Sequence, residues 1–172
     1  MVIFFDVGAS TWREGGGGPS QSWFAGSYAA HGLPFDRMLM WEAAVAPPGE
    51  VFGQVPPKYW AGYQYFNVPA SADPAAPSSP VRLLKAVAQR GDYVVFKLDV
   101  DAPSVEVRIM ESILGDAEAG GLIDELFFEH HVNFPVMNEY WGTGGLATTL
   151  ADSYRIFNAL RSKYGMRAHS WV

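Results

Sequence analysis

Four side chains able to hold a cation or move a proton fall into two pairs, Asp99 with Asp101 and Glu129 with His131, the members of each pair separated by one residue. Both pairs follow apolar β-type runs, Tyr-Val-Val-Phe-Lys-Leu-Asp at 93–99 and Glu-Leu-Phe-Phe-Glu-His-His-Val at 125–132. Alternate residues of a strand face the same side, so each pair shares a side while its strand lasts. If the runs are neighbouring strands, about 4.8 Å apart, their polar ends meet in one small volume. Three carboxylates and an imidazole need compensation there, because like charges and desolvation both resist ionisation. A divalent cation on Asp99, Asp101, Glu129 and His131 would supply it. So would a basic partner such as Lys97, or a ligand that donates hydrogen bonds. A plainer arrangement fits the same residues, with Asp101 capping a helix that starts near Pro103 and the other groups tied to nearby loops. His130 is expected on the opposite face, packed or capping.

A second set lies earlier in the chain. Phe5-Asp6-Val7-Gly8-Ala9-Ser10 places an acid at the end of a β-type run and a glycine in the turn after it, and Glu42 ends the next run. Glycine lets a ligand approach the backbone closely, and an acid ending the second strand of a nucleotide site accepts hydrogen bonds from ribose hydroxyls. The full Gly-x-Gly-x-x-Gly pattern is absent, and an ordinary βα turn whose acid caps the following helix explains the same residues. Neither a Gly-x-Ser-x-Gly elbow nor a phosphate loop with Gly-Lys-Ser/Thr occurs, which removes the serine-hydrolase and NTPase classes. The loop 133–146 combines aromatics with glycines and reads equally as a lid or as a surface excursion.

The elements that must position these groups alternate along 172 residues, the length of one domain. Strands are expected at 2–7, 37–42, 63–68, 93–99, 125–132 and 166–171. Helices are expected at 20–31 after Gly15–Gly18 and Pro19, at 81–89, from Pro103 to about 114, and at 148–163 with Gly165 as its cap. The stretch 46–57 reads as a Pro/Gly-rich loop with a helical turn near 58–62, and 69–80 as a second loop. The near-continuous apolar character of 93–99 is that of an interior parallel strand. Six strands joined by helices or long crossovers define an α/β fold, a three-layer open and mostly parallel sheet with helices on both faces. Ligands of such sheets bind beyond the carboxyl ends of the strands, where strand order reverses, which also draws Asn67 and His169 into consideration.

Composition sets the outer limits. A net charge of −6 argues against a general nucleic-acid or anionic-membrane binder. The absence of cysteine removes disulfides, thiolate nucleophiles and Cys-based zinc sites. No apolar run approaches the roughly 20 residues of a membrane span, and the N-terminus has no leader pattern, so a soluble, cytoplasmic chain is the default expectation. Twenty-five aromatic residues exceed what one core absorbs, so some are expected at a pocket or on a surface that binds a protein partner.

The strand-end segments Phe4-Phe5-Asp6-Val7-Gly8-Ala9-Ser10, Met40-Trp41-Glu42-Ala43, Phe96-Lys97-Leu98-Asp99-Val100-Asp101-Ala102 and Leu126-Phe127-Phe128-Glu129-His130-His131 together resemble the FkbM-type S-adenosylmethionine-dependent methyltransferases over about residues 2–131. The resemblance implies a single Rossmann-like, methyltransferase-type domain over 1–172, shortened at both ends relative to the family. It places Asp6, Gly8, Ala9 and Ser10 around the methionine part of S-adenosylmethionine and Glu42 on its ribose. Asp99 and Asp101 would face the methyl group and a small-molecule, glycan or protein acceptor, and a carboxylate or His131 would accept the acceptor's hydroxyl proton, which makes Asp99, Asp101 and His131 the candidate catalytic set. Ser10 stands where the family has asparagine, Trp12 where it has a small residue, and Ala102 where it has glycine. Those departures also fit a methyltransferase-fold subunit that binds or assembles without catalysing, and the four strand-end residues alone fit a metal-dependent enzyme. Glu125 to His131 and Arg167-Ala168-His169-Ser170-Trp171 are also similar to segments of uncharacterised algal and plant proteins.

Overall fold

The chain runs β1 (Val2–Val7), α1 (Ser20–Ala30), β2 (Arg37–Trp41), α2 (Pro48–Gln54), a 3₁₀ turn (Pro57–Gly62), β3 (Tyr63–Phe66) and α3 (Pro80–Val87). It continues through β4 (Tyr93–Leu98), α4 (Pro103–Gly115), α5 (Ala117–Leu122), β5 (Glu125–Phe128), α6 (Asn138–Trp141), α7 (Leu150–Tyr164) and β6 (Arg167–Ser170). The computed structural model describes residues 1–13, 20–142 and 146–171. Gly15–Gly18, Pro19 and residues 143–145 of the glycine-aromatic loop lie outside the described residues.

Six strands form one sheet in the order β3-β2-β1-β4-β5-β6, and every neighbouring pair is parallel. The expected strands are therefore all present, and the sheet is parallel throughout rather than mostly so. Central strands of such a sheet are covered on both faces, and Ile3 to Val7 and Val94 to Leu98 are buried accordingly. On one face α3, α4, α5 and α7 pack Leu84, Ile109, Ile113 and Leu160 against Phe5, Phe96 and Phe128. On the other, α1, α2 and the 3₁₀ turn pack Phe24, Val51 and Tyr59 against Phe4, Met38 and Val95. The excess of aromatics is thus largely absorbed by two cores, and Trp23, Trp60, Tyr140 and Tyr154 remain exposed. No helix among the described residues is long and apolar enough to cross a membrane.

Two elements depart from the sequence expectation. The stretch 46–57 contains α2, where Pro47 and Pro48 preset the backbone for a helix start and Val51 anchors the turn in the core. The helix α5 is only six residues long, too short to show a period. It forms because the Asp116 carboxylate accepts from the backbone N–H groups of Glu118 and Ala119. Strands β4 and β5 also stop early, at Leu98 and Phe128, so Asp99, Asp101, Glu129 and His131 stand on the loops just past them.

Gly8 holds the centre of the sheet edge. Its φ is +93°, and a Cβ there would lie 1.5 Å from the Asp99 carbonyl oxygen. The glycine is required by the close passage of the β1 and β4 ends, since no side chain fits between them. Gly8→Ala is expected to cost about 4 kcal/mol or more by chemical denaturation. Gly26→Ala, in α1 with nothing within 4 Å of the added carbon, is expected to gain about 0.5–1 kcal/mol. Equal stability of Gly8→Ala and the unaltered chain would refute the close approach.

Candidate active site at the carboxyl edge of the sheet

Strand order reverses between β1 and β4, since β1 leads outward to β2 and β4 to β5. The crevice left at their carboxyl ends is a cavity of about 550 Å³, bordered by Glu42 on the β2 side and by Lys97, Asp99, Asp101 and Glu129 on the other. This is where open α/β sheets take their ligands.

Lys97 organises the floor. It stands opposite Asp6 in the β1–β4 register and is 1% exposed. Its ammonium reaches Asp6 Oδ1 at 3.1 Å, the Gly8 carbonyl at 3.0 Å and Asp99 Oδ2 at 3.1 Å. Burial alone would lower the Lys97 pKa, but the Asp6 and Asp99 charges outweigh it and the group is held charged. Asp6 is fully buried, and desolvation pushes its pKa up despite Lys97 and the Ser20 hydroxyl that donates to it. Asp6 thus meets the cavity only through Lys97 and Ser20, while Ala9 lies in the core beneath.

The β1 turn is tied down from every side. The amides of Gly8 and Ala9 both donate to the Trp41 carbonyl, and Ser10 donates to Glu42 Oε2 at 2.7 Å. Glu42 Oε1 accepts from Ala44, and the Asn67 amide holds the Glu42 and Ala44 carbonyls. Tyr65 and Gln21 bind the Ser10 and Ala9 carbonyls from below. Glu42 therefore faces the cavity with one backbone donor on each oxygen, and a carboxylate has lone pairs to spare beyond those two.

Across the crevice the proton-bearing groups form a chain. Burial and the adjacent Asp99 push the Glu129 pKa up to about 8, so its carboxyl donates a hydrogen bond to Asp99. Burial would raise Asp99 too, yet Lys97 and the hydrogen bonds from Glu129 and Trp171 keep it below the ordinary range. His131 is 3% exposed, with Nδ1 on Glu106 Oε2 at 2.9 Å and Nε2 3.6 Å from Glu129 and 3.9 Å from Asp101. Glu106 raises the His131 pKa against the effect of burial, and it also accepts from the Val100 amide. Asp101 does not cap α4, which starts at Pro103 with Ala102 at its N-cap and no side-chain cap, and Asp101 sits exposed at φ +53°.

The structure thus brings Gly8, Ser10, Glu42, Asp99, Asp101 and Glu129 to one crevice, with His131 buried beside Glu129 and Asp101 rather than lining it. Among these, Asp101, Glu129 and His131 each place a ligand atom within 4.8 Å of the others, whereas Asp99 is drawn to Lys97. His169 is not part of it. Its ring binds Glu125 at 2.8 Å near the amino end of β5, where Tyr28, Tyr93 and Arg167 also converge. Glu106 and Trp171 were not evident from sequence. Glu106 sits four residues inside a helix of ordinary pattern, although an acid on the buried stripe beside Ile109 and Ile113 was a signal. His130 packs against α7, with its Nδ1 on the Ser153 hydroxyl and burial lowering its pKa, so it does not face away from the α4 side on which His131 meets Glu106. Compared with protein-family models, with curated proteins and with solved structures, the chain matches none.

Glu129 keeps its proton in the folded chain where an unfolded glutamate, with a pKa of 4.5, has lost it. Folded Glu129 then binds more protons than unfolded, so its contribution to stability is full below the unfolded value and falls away as pH rises through about 8. In chelated protein, the melting temperature of Glu129→Gln relative to the unaltered chain is expected to rise between about pH 5 and about pH 8. A difference that does not change with pH would show that Glu129 titrates normally.

Proposed function

We propose that the chain is an S-adenosylmethionine-dependent methyltransferase acting on a hydroxyl acceptor, the activity implied by its FkbM-type resemblance. The observation that carries this reading is an acidic crevice at the strand-order reversal whose turn amides are already used within the protein. A dinucleotide needs free amides for its pyrophosphate, and those of Gly8, Ala9 and Ser10 are engaged. Glu42, Asp99 and Asp101 against the single Lys97 suit a phosphate-free nucleoside that brings positive charge.

In this reading Glu42 holds the ribose hydroxyls and Ser10 borders the methionine part. When bound, the cofactor supplies a methyl group activated by its cationic sulfur. His131, oriented by Glu106, accepts the acceptor's hydroxyl proton on Nε2, and Asp99 and Asp101 flank the acceptor and fix its approach. Most of the acceleration comes from positioning, with the proton acceptor adding to it.

Thermal unfolding of chelated protein with S-adenosylmethionine or S-adenosylhomocysteine tests the assignment. Saturation to about 100 times the dissociation constant adds about 2.7 kcal/mol, a rise of about 5–10 °C for a domain of this size. The rise should vanish in Glu42→Gln. No rise with either compound would sink the cofactor site.

A second reading, a metal-dependent enzyme, is favoured by the Asp101, Glu129 and His131 cluster. Glu106 on Nδ1 leaves Nε2 toward the two carboxylates, the outer-shell arrangement common at imidazole-bound metals. Those three residues would hold the cation, which would polarise an oxygen of the substrate. Adding Mn²⁺ or Mg²⁺ to chelated protein should then raise the melting temperature, and Glu129→Gln should abolish the effect. A chain that responds to neither cofactor nor cation and copurifies with another protein would instead support the non-catalytic binding role.

A further inference from the structure

A second pocket, of about 290 Å³, opens past β5 on the side of the sheet that carries α7, and it shares no lining residue with the crevice. Its walls are aromatic: Phe134, Trp141, Tyr154 and Phe157. Among them stand His130, Ser153, Arg161 and Ser170. His130 is 6% exposed and stacks on Phe128, with ring centres 5.1 Å apart. Its Nδ1 pairs with the Ser153 hydroxyl at 2.7 Å. Its Nε2 is buried without a hydrogen-bond partner among the described residues, the one buried side-chain polar atom there so left. Buried polar groups are paired in nearly all proteins, so an unpaired nitrogen on an imidazole that lines an aromatic pocket marks the place of a missing partner.

We propose that this pocket is a ligand site for a small hydroxylated aromatic of one or two rings, whose hydroxyl pairs with His130 Nε2. The size follows from volume, since a cavity of about 150 Å³ already accepts benzene. The aromatic class follows from the four rings, which favour a flat apolar partner in offset or edge contact. The hydroxyl follows from the imidazole. With Nδ1 on Ser153, Nε2 carries either the proton or the lone pair, and a hydroxyl both donates and accepts, so it satisfies either tautomer. The site stands independently of the methyltransferase reading.

Calorimetric titration of the full chain with phenol and with toluene tests it. Phenol should bind saturably, and toluene, alike in size but without the hydroxyl, at least about tenfold more weakly. His130→Phe keeps a ring on Phe128 and should erase the preference. Should that variant fold poorly, imidazole ¹⁵N spectra of the unaltered chain answer the same question, because phenol must move the His130 Nε2 resonance and toluene must not. Equal affinity for the two compounds, no saturable binding of phenol, a preference that survives His130→Phe, or an unmoved Nε2 resonance would each overturn the proposal.

Discussion

A charged amine in the middle of a parallel sheet is the constraint on which the carboxyl edge of this protein depends. Removing the Lys97 ammonium from water costs several kcal/mol, and nothing apolar around it returns that. Asp6, Asp99 and the Gly8 carbonyl do so together, and each is fixed in place by doing it. Asp6 lies on β1 and Asp99 just past β4, so the ammonium joins the two strands at the point where strand order reverses. The Gly8 backbone must pass the Asp99 carbonyl closely for this to happen, which is why that position tolerates no side chain.

The remaining proton-bearing groups follow from how Lys97 divides its attention. Asp99 receives the positive charge and stays ionised. Glu129, next in line and without a cation of its own, keeps its proton instead. His131 is then set by Glu106, a buried acid that also receives the Val100 amide and so joins the end of β4 to the first turn of α4. One face of the crevice is arranged by a buried ion pair and the other by a buried carboxylate–imidazole pair. Glu129 lies between them.

Much of this was legible in the residues themselves. Near-continuous apolar runs at 93–99 and 2–7 announce interior parallel strands, and the acids that end them, Asp99 and Asp6, come at the carboxyl edge of the sheet. The convergence of Asp101, Glu129 and His131 was readable from the two-residue spacing, although the strands stop before those residues and loops complete the approach. What was not legible depends on contacts distant in sequence. The residues around Lys97 place it in an interior strand but do not show that Asp6 and the Gly8 carbonyl receive its ammonium, and Glu42 looks free to meet a ligand until Ser10 and Ala44 are found on its oxygens. Short elements such as α5 rest on one capping acid and have no period to read. The glycine of the β1 turn was legible as a requirement, but its reason is the Asp99 carbonyl.

The two acids of β5 and its following residue, Glu125 and Glu129, lie four positions apart and are driven in opposite directions. Glu125 is collected by Tyr28, Tyr93, His169 and Arg167, which overcome its burial and hold it ionised. Glu129 has no such retinue and stays protonated. Acid therefore attacks the amino rim of the sheet, where ties to Glu125 are lost, and passes over Glu129, which already carries its proton. Alkali does the reverse, placing a new negative charge beside Asp99 while the Glu125 cluster holds. The molecule has a separate weak point for each end of the pH scale, and they lie at opposite ends of one short strand.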